Sequence, residues 1–188
     1  DRVFGLAFSP DGRRLASASA DGSARLWDVA GAQPIGGALP GHTAAVLAVA
    51  FSPDGRWLAS AGSDQVIVLR DGATGAPVGA PLAGHQDTVT QLAFSPDGKT
   101  LASVGYDGAL MLWEPGAAAT PRQRASHPSV LNAVAFSPDG SLIATAGADR
   151  HVTLWQSATL SARDDPLTDH DAAVRAVAFS PDGRRLVS

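Results

Sequence analysis

Phe8-Ser-Pro-Asp-Gly12 returns as Phe51-Ser-Pro-Asp-Gly55, Phe94-Ser-Pro-Asp-Gly98, Phe136-Ser-Pro-Asp-Gly140 and Phe179-Ser-Pro-Asp-Gly183, at intervals of 43, 43, 42 and 43 residues. The segment carries its own turn chemistry. Proline fixes φ near −65° at the second turn position, serine suits the first, and glycine accepts a positive φ at the exit. So regular a spacing marks one supersecondary unit copied along the chain.

Working outward in the second copy, Val46-Leu-Ala-Val-Ala-Phe51 precedes the turn as an apolar run, and Trp57-Leu-Ala-Ser60 follows it. Ser63-Asp-Gln65 turns again, Val66-Ile-Val-Leu69 forms a third strand, and Asp71-Gly-Ala-Thr-Gly75 leads into Ala76–Leu82. That last segment contains Pro77 and Pro81, so it is expected at a sheet edge, where a missing N–H is tolerated. Each unit therefore reads as four short antiparallel strands. Its first three are apolar on both faces and need cover from neighbouring units. A period of about 40–45 residues is that of a propeller blade. The predicted fold is all-β, a β-propeller of four-stranded antiparallel blades. The units are 1–41, 42–84, 85–126, 127–169 and an incomplete 170–188. The irregular stretch from Glu114 to Ser129, with Pro115, Pro121 and Pro128, is predicted to be a loosened outer strand and surface loop.

Composition narrows the function classes. Apolar residues make up 45% and charged residues 17% of the chain, which suits a compact domain and argues against disorder. Net charge is −4, which disfavours a nucleic-acid surface, since that needs a concentrated basic stripe. No apolar run is long enough for a membrane span. Without cysteine there is no disulfide, thiolate metal site or cysteine nucleophile, and the composition suits a reducing, cytoplasmic setting. Lys99 is the one lysine among 14 basic residues, a usage associated with GC-rich bacterial genomes.

The chain resembles the WD-repeat β-propeller family over essentially its whole length. Gly41-His42 and Gly84-His85 precede two units, with Ser126-His127 and Asp169-His170 in the equivalent places, and Trp27-Asp28 is the Trp-Asp pair. Trp113-Glu114, Trp155-Gln156 and Arg70-Asp71 are its variants. The resemblance implies a structural hydrogen-bond network in each blade. Its members here would be Ser17, Asp21 and Trp27; His42, Ser60 and Asp64, with Arg70 in the tryptophan's place; His85, Ser103, Asp107 and Trp113; His127, Thr145, Asp149 and Trp155; and His170. It also implies ligand contacts on the face opposite the Ser-Pro-Asp-Gly turns. Among those positions Arg2, Phe4, Leu47, Thr88, Thr90, Tyr106, Asn132 and Arg175 are the candidates for partner binding, with Phe4 and Tyr106 as anchors.

A set of Ser, His and Asp invites a hydrolase reading, but a catalytic triad is needed once and this set recurs. One histidine per unit is likewise a poor zinc site. Arg13, Arg14, Arg56, Lys99, Arg184 and Arg185 follow the turns, but each turn also brings an aspartate, and they read as solvated turn residues. The expected function is a non-catalytic interaction and scaffolding module without cofactor. It would serve as the sensor or assembly part of a bacterial regulatory or effector protein, with other proteins or other domains of a longer chain as partners. The rival is a propeller enzyme with its site in the central channel. Four complete units and half of a fifth leave an open edge, so the residues are expected to belong to a longer chain and a larger ring.

Overall fold

The computed structural model describes all 188 residues, and every regular element is a strand. The first sheet contains β1 (Val3–Phe8), β2 (Arg14–Ser19), β3 (Ala24–Asp28) and β4 (Gln33–Pro34) in that spatial order. The second repeats it with β5 (Val46–Phe51), β6 (Trp57–Gly62), β7 (Val66–Asp71) and β8 (Leu82–Ala83). The third holds β9 (Val89–Phe94), β10 (Leu101–Gly105), β11 (Ala109–Trp113) and β12 (Gln123–Ser126). The fourth has three strands, β13 (Leu131–Phe136), β14 (Leu142–Gly147) and β15 (Val152–Gln156), and the fifth has β16 (Ala178–Phe179) and β17 (Leu186–Val187). All neighbours pair antiparallel. The architecture is that of a partial propeller.

The outer edges depart from the sequence expectation. Of Ala76–Leu82 only its last residue joins regular pairing, with a single bridge from Arg70 to Pro77, because two prolines remove the donors a ladder needs. The fourth unit lacks a regular outer strand and has the bridges Val152–Leu167 and Trp155–Ala162 in its place. The third unit was expected to have the loosest edge and instead has the longest, since Gln123–Ser126 pairs with all but the last residue of β11. Its prolines bracket this stretch without entering it.

Successive sheets stack with unlike faces together. Ala16, Ala18, Ala24 and Leu26 of the first pack on Val46, Val49 and Leu58 of the second. Ala59, Ala61, Ile67 and Leu69 of the second pack on Val89, Leu92, Leu101 and Trp113 of the third. The same pattern joins the third to the fourth and the fourth to the fifth. Alanines on the second strand of the earlier sheet leave room for large residues of the next, while its third strand adds Leu26, Ile67, Leu69, Leu110 and Leu112 to the contact. Val3, Leu6 and Phe8 on β1 correspond to the large-residue face but are 56%, 63% and 63% exposed.

The five turns form a stack of their own. In each, the serine hydroxyl donates to the aspartate at 2.5–2.6 Å and accepts the N–H five residues on. The turn glycines all have φ between 68° and 72°. Gly55 faces the ring of Pro10, Gly98 that of Pro53, Gly140 that of Pro96 and Gly183 that of Pro138, so each turn rests on the one before.

Hydrogen bonds from serine, then from the backbone N–H two residues on, hold Asp11, Asp54, Asp97 and Asp182 below the ordinary carboxyl range. Asp139, which also accepts from Ser141, is lowered to about 2. A carboxyl depressed in the fold contributes stability above its unfolded pKa, near 3.9, and loses it as pH falls through the folded value. The urea midpoint should therefore fall below about pH 4 through these carboxyls, after a shallower decline below about pH 6.5 as unfolding lets the buried His85 take up a proton. Asp139→Asn should flatten that acid limb; an unchanged limb would remove this turn from the account.

Candidate functional site

The third unit shows how the recurring polar side chains fit together. His85 stands before β9, Ser103 on β10, Asp107 in the turn after it and Trp113 at the end of β11. His85 Nδ1 lies 3.0 Å from the Asp107 carboxylate and Nε2 lies 2.7 Å from Ser103 Oγ, which accepts Trp113 Nε1–H at 2.8 Å. With the proton on Nδ1, every group has a role: indole donates to hydroxyl, hydroxyl to Nε2, and Nδ1–H to carboxylate. Burial lowers the His85 pKa despite the neighbouring carboxylate, so the ring is neutral. Burial also works to raise Asp107, but N–H donors from Gln86 and Ala109, with His85, outweigh it and hold the carboxyl low. Ser103 is fully buried, so its hydroxyl has no path to a substrate.

The other units vary this arrangement. In the second, His42 bonds Asp64 and Ser60, both at 2.8 Å, and Arg70 replaces the indole by donating Nε–H to Ser60 Oγ at 3.3 Å. Arg70 is fully buried, its Nη1 reaches the Gly75 carbonyl at 3.5 Å, and Nη2 has no partner. Desolvation lowers its pKa to about 10, which leaves it charged at neutral pH.

In the fourth unit Trp155 donates to Thr145 at 2.8 Å, but His127 makes no bond to that hydroxyl. Its ring is turned, with Nε2 3.4 Å from Asp149 and Nδ1 accepting the Ser129 N–H. Thr43 and Gln86 donate backbone N–H to their aspartates, but the equivalent residue here is Pro128, which has none to give. Asp149 is shared instead with His151, at 3.3 Å. In the first unit Trp27 donates to Ser17 at 2.9 Å, and Asp21 accepts the Ser23 N–H. In the fifth, His170 bonds Ser188 at 2.6 Å on the surface.

The partner-binding candidates fall into two groups. Phe4 on β1, Leu47 on β5, Thr90 on β9, Asn132 on β13 and Arg175 before β16 line one depression of about 360 Å³. They come from five successive units, so the inner strands curve about a common axis and this depression is its mouth. Tyr106, in the turn after β10, joins the same five residues at the rim. Its backbone N–H is held by the Thr88 carbonyl, and Ala20 N–H is held by Arg2 in the same way. Thr88 and Arg2 act here through their backbones, and neither lines the mouth.

Three of the mouth's polar side chains are already engaged. Thr90 Oγ1 donates to the carbonyl of Leu131 at 2.7 Å, and Asn132 Nδ2 to that of Val174 at 3.0 Å, each tying its unit to the next. Gln91, which the sequence reading did not single out, accepts the Val134 N–H at 2.6 Å. Its signal is copy-to-copy: the equivalent positions hold Gly5, Ala48, Ala133 and Ala176, none able to reach across. On the opposite side, Trp57 is half-buried between the Arg56 guanidinium, 4.7 Å from its ring centre, and Gly116 of the third unit.

The family model described as "WD domain, G-beta repeat" matches five segments, at residues 1–28, 34–71, 76–114, 121–156 and 164–188. Striatin-4 of Homo sapiens and Striatin-4 of Mus musculus are each 59% identical to this chain over 34 residues. That stretch is 18% of this chain and spans 4% of the length of either relative.

Proposed function

The chain belongs to the WD-repeat family, and on that premise we propose that it is a protein-interaction scaffold whose partner docks at the mouth formed by Phe4, Leu47, Tyr106 and Arg175. WD-repeat domains generally mediate contacts between proteins and are generally non-catalytic. The observation that carries the reading is the convergence of five units on one depression, with aromatic anchors 52% and 48% exposed at Phe4 and Tyr106. Exposed aromatic side chains around a concave centre are what binding hot spots are made of.

The His–Ser–Asp sets have triad-like contacts, but in the second and third units their hydroxyls are buried and already bonded to a second donor. They fit a structural clamp. The partner in this reading is another protein or another domain of a longer chain, no cofactor takes part, and the setting is the cytoplasm. Bacterial origin, suggested by the arginine-rich usage, and a sensor or assembly role within a larger regulatory or effector protein complete the proposal.

The test is a binding assay of the purified chain against immobilised peptide libraries. Phe4→Ala and Tyr106→Ala should each weaken binding by about tenfold or more, with the melting temperature within a few degrees of the parent. Undiminished binding by both variants, or substrate turnover by the chain alone, would overturn it.

A further inference from the structure

The mouth differs in charge from the depressions on the turn side. Three depressions on the Ser-Pro-Asp-Gly side mix charges: Asp97 and Asp139 with Arg122, Asp139 and Asp182 with Arg163, and Asp54, Asp97 and Glu114 with Arg56, Lys99 and Arg122. The lining of the mouth contains no aspartate or glutamate, and Arg175 is its sole charged residue. In a chain of net charge −4, that makes the mouth a local positive site. Arg175 is exposed and takes part in none of the chain's ion pairs.

The hydrogen bonds within the lining decide what remains for a ligand. Asn132 gives its amide N–H to Val174 and keeps Oδ1 as an acceptor. Gln91 gives Oε1 to the Val134 N–H and keeps its amide donors. One free acceptor and one free donor lining the same depression match the N–H and C=O of a peptide unit. Phe4 and Leu47 supply the apolar wall beside them.

Resting on the interaction reading above, we propose that the mouth takes a short peptide segment of a partner protein in which an aspartate or glutamate adjoins an aliphatic or aromatic side chain. The carboxylate pairs with Arg175, whose planar fork favours two parallel hydrogen bonds. The adjoining apolar side chain covers Phe4 and Leu47, and the peptide backbone meets Asn132 Oδ1 and the Gln91 amide. Because the cation lies at a rim open to water, ionic strength should weaken the complex.

The probe is a randomised heptapeptide library with both ends blocked, so that any acid selected is a side chain. Wild-type selection should enrich Asp or Glu next to Leu, Ile or Phe. The best peptide and its twin with Asn or Gln in place of the acid are then measured by fluorescence anisotropy. Against wild type the twin should bind about tenfold weaker. Arg175→Ala should lose a similar factor with the acidic peptide and under about twofold with the twin, while Phe4→Ala should weaken both. Selection without acid enrichment, or an acidic peptide indifferent to Arg175→Ala, overturns the carboxylate assignment. Continued dependence on Phe4 in that case leaves the interaction reading standing. No selected peptide, or binding that ignores both positions, sinks the two together.

Discussion

Trp113→Ala should cost about 3–5 kcal/mol of folding stability, the largest single loss expected in this chain. Trp113 is 1% exposed and stands in the largest core cluster, where it meets the small-residue face of the second sheet. The position that a Cβ would take on Gly84 is 3.1 Å from its Cη2, so the ring fills its site to contact on that side. Truncation opens a cavity between two sheets and strips Ser103 of its indole donor. For a domain near this size the melting temperature should fall by roughly 6 to 20 °C. Trp113→Phe keeps much of the packing and loses the N–H, and should cost about 1–2 kcal/mol. A loss below about 1 kcal/mol for Trp113→Ala would show that the indole is not a clamp between sheets.

Arg70→Trp should move stability the other way, by about 1–3 kcal/mol. Arg70 occupies the place held elsewhere by Trp27, Trp113 and Trp155, it is fully buried, and no ion pair accompanies it. One of its nitrogens is unsatisfied, which costs free energy that an indole of the same reach would not incur. Gly41 faces the end of Arg70 as Gly84 faces the end of Trp113, so the site has matching room. Chemical denaturation at neutral pH reads the gain as a higher midpoint with an unchanged slope. A lower midpoint would mean that the guanidinium interacts more favourably in the fold than its contacts indicate.

These two positions show what was legible in the sequence. Five copies of one turn fixed the strand order, the turn conformation and the correspondence between units, because each depends on local chemistry. The arrangement of His85, Ser103, Asp107 and Trp113 is also set within one sheet. What escaped depends on how sheets sit against each other. Thr90 and Asn132 line the mouth, but that their donors also reach into the next unit follows only from how the sheets stack. The turned ring of His127 has a local cause in Pro128, visible only once the backbone N–H at that position is known to serve the aspartate. The outer strand at Gln123–Ser126 is more regular than the loosened strand read from the sequence, because the flanking prolines dominate the composition of the stretch without entering it.

The seating of each turn glycine on the preceding proline has a consequence for how the molecule comes into being. The contact is directional: Pro10 serves Gly55, Pro53 serves Gly98, Pro96 serves Gly140 and Pro138 serves Gly183, always from earlier to later in the chain. The core obeys the same order, with Ala16 and Ala18, Ala59 and Ala61, and Ala144 and Ala146 of earlier units receiving larger residues of later ones. During synthesis from the N-terminus, each unit after the first thus emerges to find its seat already made. Nearest-neighbour contacts suffice to place it. The repeat encodes an order of assembly in time as well as an arrangement in space.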